Sequence, residues 1–383
     1  MDQRIEKMIT YAQGLTYEDL PPEVVGRAKH LILDTIGCAL GAAPGAPGRI
    51  VRAAAAKVTS ATPATVMVSG SKTSPDMAAF ANGVMARYLD WNDGYFGAHG
   101  GGHPSDMLAP TLAAVETTHG GGKEAILGFV LGYEAQCGMA DAGGMDAKIG
   151  SNQTLDGAVG AVVLASRTLG LDKEQMRHAI NLAMAACRPM GRQSRGQLSH
   201  WKEAHVPNSS RNGVFFAMMA AEGLTGPEFD FEEPTQWLPF GGDGRSFRIM
   251  ESGVKRFPAG YFSQSAIEAM QELRPKVRNL ADIKDKIKIR IGEENISVWP
   301  EPLNNVDMEM NSGEVLNARV SYHLGHFKRL MSDADQERKF RPMAEEYAKL
   351  PKAQVDRLLD RLRHLEQVRD IGEVLALTVP PKR

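Results

Sequence analysis

The residues best suited to chemistry in this 383-residue chain stand together in one loop: Leu89-Asp90-Trp91-Asn92-Asp93-Gly94-Tyr95-Phe96-Gly97-Ala98-His99-Gly100-Gly101-Gly102-His103-Pro104-Ser105-Asp106. Three carboxylates and two histidines are interleaved with several glycines. Histidine exchanges protons near neutral pH, and a nearby carboxylate can orient it or share the proton. Glycine permits backbone conformations that other residues avoid and lets a ligand come close. Ordering such a loop costs chain entropy, which favours a functional role. The plainer alternative is a surface loop whose Asp residues cap helices, with Pro104, Ser105 and Asp106 starting the next one. His99 and His103 are four apart, a metal-ligand spacing on a helix, but three glycines lie between them. A helix is disfavoured there, and the metal geometry lapses with it.

Other segments offer weaker chemistry. Ser199-His200-Trp201-Lys202-Glu203-Ala204-His205 approximates HExxH, but its histidines are five apart. That puts them about 140° apart around a helix, so a zinc-protease reading is rejected. Lys202 remains a candidate pocket residue, with a solvated lysine as the alternative. His119-Gly120-Gly121-Gly122-Lys123 fails as a phosphate loop, because Glu124 stands where Ser or Thr is required and no strand precedes it. It fails as a lipase oxyanion loop, because the chain has no G-x-S-x-G. It reads as a turn between helices, and Gly241-Gly242-Asp243-Gly244 carries no more information than that. In Gly253-Val254-Lys255-Arg256-Phe257-Pro258-Ala259-Gly260-Tyr261-Phe262-Ser263-Gln264, two cations precede a Pro-Ala-Gly break and a helix. Cations beside a helix N-terminus make an anion site; a plain basic turn is the alternative.

The elements that must hold these segments are mostly helices. An amphipathic stretch fills 1–14, and Pro21-Pro22 opens a second with Val24, Ala28, Leu31, Ile32 and Ile36 on one side. Further helices are predicted at 49–56, 77–89, 107–118, 123–138, 158–169, 173–186 and 213–223, rich in Ala and Gly and so expected to pack closely. From about 230 to 247 the chain turns irregular and Pro/Gly-rich. One more helix follows, ending at Leu273. The period then switches to two in 286–291, 306–310 and 315–322, with Asn311-Ser312-Gly313 as a hairpin turn. Strands are expected only in 283–325, and helix returns at Asp333 and over 355–365, where Arg357, Arg361 and Arg363 mark the polar side. The expected fold is mostly α with a smaller α+β part. Its expected parts are a helical portion over 1–250, a small α+β unit over 251–330, and C-terminal helices over 331–383 that return to the helical body.

Composition narrows the function classes. Hydrophobic residues are 43% and charged residues 23%, with a net charge of −2. A disordered chain, a coiled coil and a collagen-like fibre are excluded, and no global basic field exists to draw in nucleic acid or an acidic membrane. Aromatic residues are 7%, few for a stacking platform on single strands. Cys38, Cys137 and Cys187 are scattered, which argues against a disulfide framework, a CxxC zinc site and an iron–sulfur cluster. With no signal peptide and no long apolar run, a cytoplasmic protein is expected.

Taken together, four segments resemble the MmgE/PrpD family, over nearly the whole chain. Asp90-Trp91-Asn92-Asp93 with Gly102-His103-Pro104-Ser105-Asp106 is similar to its D-[FW]-[ND]-D…HPS loop. Lys202, with residues 208–213, resembles its lysine-containing segment. Val254-Lys255-Arg256-Phe257-Pro258-Ala259 followed by Gln264-Ser265-Ala266 resembles its K-x-[FY]-P-A loop, and Ala28-Lys29-His30-Leu31-Ile32-Leu33-Asp34-Thr35-Ile36-Gly37-Cys38 its opening helix. The resemblance implies a helical domain built from both chain ends, a small α+β lid and a homodimer. It also implies cofactor-free and metal-free lyase chemistry, such as dehydration, on a small polycarboxylate of the 2-methylcitrate kind. By position it implies catalytic roles for Asp90, His103, Lys202 and Lys255. Asp93, Tyr95, His99, Ser105, Arg256 and Gln264 are the accompanying substrate-binding candidates. Family decarboxylases tend to carry threonine at the position of Gly94, so glycine weighs against decarboxylation. The chain between the strand at 286 and the helix near Asp333 is short, which leaves little of the family's helical insert between lid strands. Epimerisation or isomerisation, decarboxylation, and a non-catalytic carboxylate-binding or scaffold role stand as alternatives.

Overall fold

Ile5, Met8, Ile9 and Ala12 recur at helical spacing and form the buried side of helix α1 (Gln3–Gly14). This holds in a computed structural model described for residues 3–97, 101–142, 153–187, 199–228, 239–291 and 304–381. Pro22, whose fixed φ suits a first helical turn, opens α2 (Pro22–Gly41). There follow α3 (Ala46–Ala55), the short antiparallel pair β1 (Ala64–Thr65) and β2 (Lys72–Thr73), and α4 (Pro75–Tyr88). The chemistry-bearing loop contains β3 (Asp93–Phe96) and β4 (Gly101–Gly102). Beyond it lie α5 (Leu108–Thr117), α6 (Gly122–Asp141), α7 (Gln153–Thr168), α8 (Lys173–Ala186) and α9 (Trp201–Ala221). Helix α7 packs between α6 and α9, and α9 also lies along α4. Small residues make this possible: Gly213 of α9 sits directly against Ala158 and Ala161 of α7.

Strand β5 (Gly253–Val254) leads into α10 (Gln264–Leu273) and a three-stranded antiparallel sheet of β6 (Ile283–Ile291), β7 (Asn304–Met310) and β8 (Val315–Val320). Val306, Met308, Ala318 and Val320 alternate toward α10 and close a small core with Ala269 and Leu273. Between β8 and α11 (Asp333–Pro342) the chain holds no helix. Helices α12 (Lys352–Arg363) and α13 (Ile371–Leu377) follow. Phe340, Val355, Leu358, Leu362 and Ile371 join one large hydrophobic core with residues of α1 through α9, and α11 and α12 rest on α2. The molecule is therefore mostly α with a small α+β part.

Three sequence expectations need correction. Strands are not confined to 283–325: β1 to β5 lie outside that block. Each spans two to four residues, too short for period-two alternation to register. Helix α9 begins at Trp201 rather than at 213, running through Pro207. A proline removes a hydrogen bond without necessarily ending a helix when packing holds both halves, and Pro207 is buried against α4 beside Gly83. Strands β6 and β7 also begin earlier than their alternating runs at 286 and 306, at Ile283 and Asn304.

In the His119–Lys123 run, residues 119–121 form the turn between α5 and α6, and Gly122 and Lys123 already begin α6. A Cβ on Gly122 would lie 1.6 Å from the Leu365 carbonyl oxygen. Only glycine lets the C-terminal chain lie this close, where Gly122 donates to the Val368 carbonyl at 2.8 Å and Ile371 to that of Gly120 at 2.9 Å. Cys38, Cys137 and Cys187 are free thiols in the interior. Among the described residues, no helix is long and apolar enough to cross a membrane.

Candidate active site

Two antiparallel ladders bring the motifs together. On one side of β3, Asp93 lies opposite Val254 and Gly94 opposite Gly253. On the other, Tyr95 faces Gly102 and Phe96 faces Gly101. The first ladder sets the Asp90 loop beside Lys255, 165 positions away in sequence. The second turns the chain back so that His103 returns to Asp93. Gly94 is required at the crossing, since a Cβ there would stand 2.7 Å from the Tyr261 ring.

Asp90 follows α4 with φ at 49°, in the left-handed region that costs an L-residue energy unless its surroundings hold it. Its surroundings are two lysines. Lys255 Nζ donates to Asp90 Oδ1 at 2.5 Å and to the Asp90 carbonyl at 3.0 Å. Lys202 Nζ, from the first turn of α9, stands 3.7 Å from Asp90 Oδ2 and 3.1 Å from Glu203 Oε1. Burial alone would raise the Asp90 carboxyl, but the charge and hydrogen bond of Lys255, aided by Lys202, outweigh it and hold the group below its ordinary value. The Lys255 side chain is 1% exposed. Burial lowers its ammonium below the usual lysine value despite the opposing pull of Asp90.

His103 Nδ1 lies 2.6 Å from the Asp93 carbonyl oxygen. A carbonyl can only accept, so Nδ1 carries the hydrogen and Nε2 keeps a lone pair. Burial, then the nearby charges of Arg87 and Lys255, hold the imidazole well below its ordinary value, against the hydrogen bond to Asp93. The ring is thus a neutral base in a cationic setting. Arg87, at the end of α4, pairs with Asp106 at 3.4 Å. Burial pushes the Asp106 carboxyl up to about 7, with Arg87 pulling the other way. Asp90, His103, Lys202 and Lys255 therefore occupy one neighbourhood, joined by Arg87. The sequence reading missed Arg87, although its place three residues before Asp90, in the last turn of α4, was visible.

The accompanying candidates are spread differently. Asp93 accepts from Ser105 N at 3.2 Å, Tyr133 Oη at 2.7 Å and Ser252 Oγ at 2.7 Å, so protein donors occupy both its oxygens. Ser105 Oγ accepts from Asn92 Nδ2 at 2.9 Å. Tyr95 donates to Asp141 at 2.8 Å, within a buried network in which Arg248 joins Asp141 and Glu134. Gln264 caps the 255–260 loop, accepting from the amides of Arg256 and Phe257 and donating to carbonyls of Phe257 and Ala259. The Arg256 guanidinium stands 5.1 Å from the centre of the Phe257 ring and 3.9 Å from Glu268 Oε1. His99 lies outside the described residues. The polar groups of Asp93, Tyr95, Ser105 and Gln264 thus hold the loops in place. Tyr133, Ser252, Arg248 and Glu134, which share that work, carry no sequence signal beyond their burial.

Among the described residues no cluster of three His, Cys, Asp or Glu side chains is placed to hold a metal ion. A cavity of about 290 Å³ lies elsewhere, between the start of α6 and the end of α7, lined by Tyr17, Lys123, Leu127 and Arg167 among others. It contains none of the candidate residues.

The chain is similar in sequence to proteins of known function. The 2-methylcitrate dehydratase of Escherichia coli O157:H7 is 26% identical over 351 residues, covering 79% of this chain and 68% of that protein. The mitochondrial 2-methylcitrate dehydratase of Yarrowia lipolytica is 24% identical over 392 residues, covering 92% and 72%. The cis-aconitate decarboxylase of Homo sapiens is 27% identical over 232 residues, covering 58% and 47%. A model of the MmgE/PrpD N-terminal domain matches residues 6–250. With its paired loops, its lysine-flanked Asp90 and that match over most of its length, the chain belongs to the MmgE/PrpD family.

Proposed function

We propose that this protein is a cofactor-independent lyase that removes water from a small polycarboxylate of the 2-methylcitrate kind. The observation that carries the proposal is the convergence of Lys255 and Lys202 on Asp90, with the charge of Arg87 close by, beside a neutral His103 whose Nε2 keeps a lone pair and has no partner among the described residues. Taking a proton from carbon next to a carboxylate needs a base, and neighbouring cations must hold the carboxylates and the enolate-like charge that develops. His103 Nε2 takes the proton. Lys202 and Arg87 hold carboxylates. Lys255, its ammonium weakened by burial, gives a proton to the departing hydroxyl, so that water leaves and a carbon–carbon double bond remains. The His103 and Lys255 protons then re-equilibrate with solvent. Asp90 stays ionised and holds the two lysines in place; it is a poor proton donor because its carboxyl lies below its ordinary value. The dehydratase names of the relatives support the reaction class. In this reading the protein works as a homodimer in the cytoplasm, with residues 251–330 as a lid over a helical domain made from both chain ends.

The test is turnover of 2-methylcitrate, citrate, cis-aconitate and substituted succinates in heavy water with chelator present, followed by proton NMR. A new alkene signal that resists the chelator supports the proposal. Deuterium entering without an alkene indicates an epimerase or isomerase, and loss of carbon dioxide a decarboxylase, as one relative's name suggests. Carboxylate binding without any reaction would leave the scaffold reading.

A further inference from the structure

The ladder between β3 and β5 stops at Asp93 and Val254. The two groups that matter most, Asp90 and Lys255, lie just past its end. Between the backbones there, the contact from Lys255 N to the Asn92 carbonyl is long, at 3.4 Å. Something else must fix their spacing, and the structure supplies it from the far end of the chain. Lys339 of α11 enters with its side chain 5% exposed. Its ammonium has three hydrogens, and each is used. One goes to Asp34 Oδ1 at 2.6 Å, one to the Trp91 carbonyl at 2.7 Å and one to the Lys255 carbonyl at 2.9 Å. The ammonium also stands 5.4 Å from the centre of the Trp91 ring. It thus clamps the residue after Asp90 and Lys255 itself to Asp34, a carboxylate on the rigid helix α2.

We propose that Lys339 is a positioning residue for the site, setting the separation of the Asp90 loop from Lys255 so that their ion pair forms. The proposal rests on the reading of Asp90 and Lys255 as site residues given above. Stability alone is a weak reason for this lysine. A buried ion pair pays heavily for desolvation, and apolar side chains of similar volume often serve as well. What apolar side chains cannot do is bridge two carbonyls on separate loops.

Lys339→Met alone would strand the Asp34 charge in the interior and risk unfolding. The informative variant is therefore Lys339→Met combined with Asp34→Leu, with Lys339→Arg as the conservative counterpart. Three quantities are read: the melting temperature, amide hydrogen exchange by mass spectrometry, and the split of kcat against KM on the acid turned over by the wild type. The double variant is expected to melt within a few degrees of wild type. Peptides spanning 89–93 and 254–256 should exchange at least ten-fold faster while the rest of α2 and α4 is unchanged, and kcat should fall at least ten-fold with a smaller change in KM. Lys339→Arg should restore part of both. Unchanged exchange in the two segments overturns the proposal, as does loosened exchange with full kcat. If the wild type turns over none of the acids, the lyase reading fails, and the exchange data still decide whether Lys339 positions the loops.

Discussion

At the residue scale, His103 carries the sharpest expectations. Removing the base in His103→Ala should lower kcat roughly a hundred- to ten-thousand-fold with the fold intact by circular dichroism. Because its imidazole is held well below the ordinary 6.5, the ring remains a base as pH falls through 6.5. Activity should therefore persist through pH 6.5 and be lost only lower, so an acid limb centred at 6.5 would contradict the assigned environment. Stability follows the opposite side of the same equilibrium. His205 and His323 are pushed to about 4 by burial, and like His103 they bind protons more readily when unfolded. For these histidines the unfolded state holds more protons below about 6.5, so their contribution to stability decreases as pH falls through this window, while Asp106, pushed up to about 7 by burial, contributes in the opposite sense. The gap in melting temperature between wild type and His323→Asn, recorded from pH 7.5 to 5, isolates the histidine contribution: it should move against the wild type as pH falls, and a pH-independent gap would contradict it. Asp90, His103, Lys202 and Lys255 were legible because reactive types cluster in short segments. Arg87 and Lys339 were not, since a lone charged residue in a helix gives the same signal whether it faces solvent or the interior; Asp106 belonged to the quoted loop, but its pairing with Arg87 left no mark in the sequence.

At the scale of elements, the site is made by pairing rather than by any single segment. Gly94 shows the constraint: its missing side chain is what lets Tyr261 lie over β3 where β3 meets β5. Gly94→Thr should destabilise the protein by about 1–3 kcal/mol through overpacking, seen as a lower midpoint in urea, and should not create decarboxylase activity. An equal or higher midpoint would show that the ring can move aside. The helices were readable from apolar spacing and proline starts, as in α1 and α2, and the alternation of 306–310 revealed β7. The two-residue strands β4 and β5 were not readable, because pairing between distant segments leaves no periodic trace in either. The start of α9 was hidden for another reason: Pro207 argues locally against a helix that buried contacts with α4 and α7 nonetheless maintain.

At the scale of the whole molecule, the mostly α architecture followed from helical periodicity and abundant small residues, while the course of the C-terminal helices back onto α2 left no local mark. Ile287 and Ile289 are 40% and 49% exposed. They lie opposite Met308 and Val306, on the α10 side of the sheet. Light scattering after size exclusion is expected to give a dimer mass, and a monomer at working concentration would remove the homodimer from the proposal. The tie between Lys339 and Asp34 spans 305 positions, and its consequence concerns synthesis. While the ribosome is still extending the chain, α2, the Asp90 loop and Lys255 emerge long before the residue that clamps them. In the proposed reading, the helical interior can form before the clamp exists, and the site is set only once α11 has been made. A product ending before Asp333 is expected to lack activity.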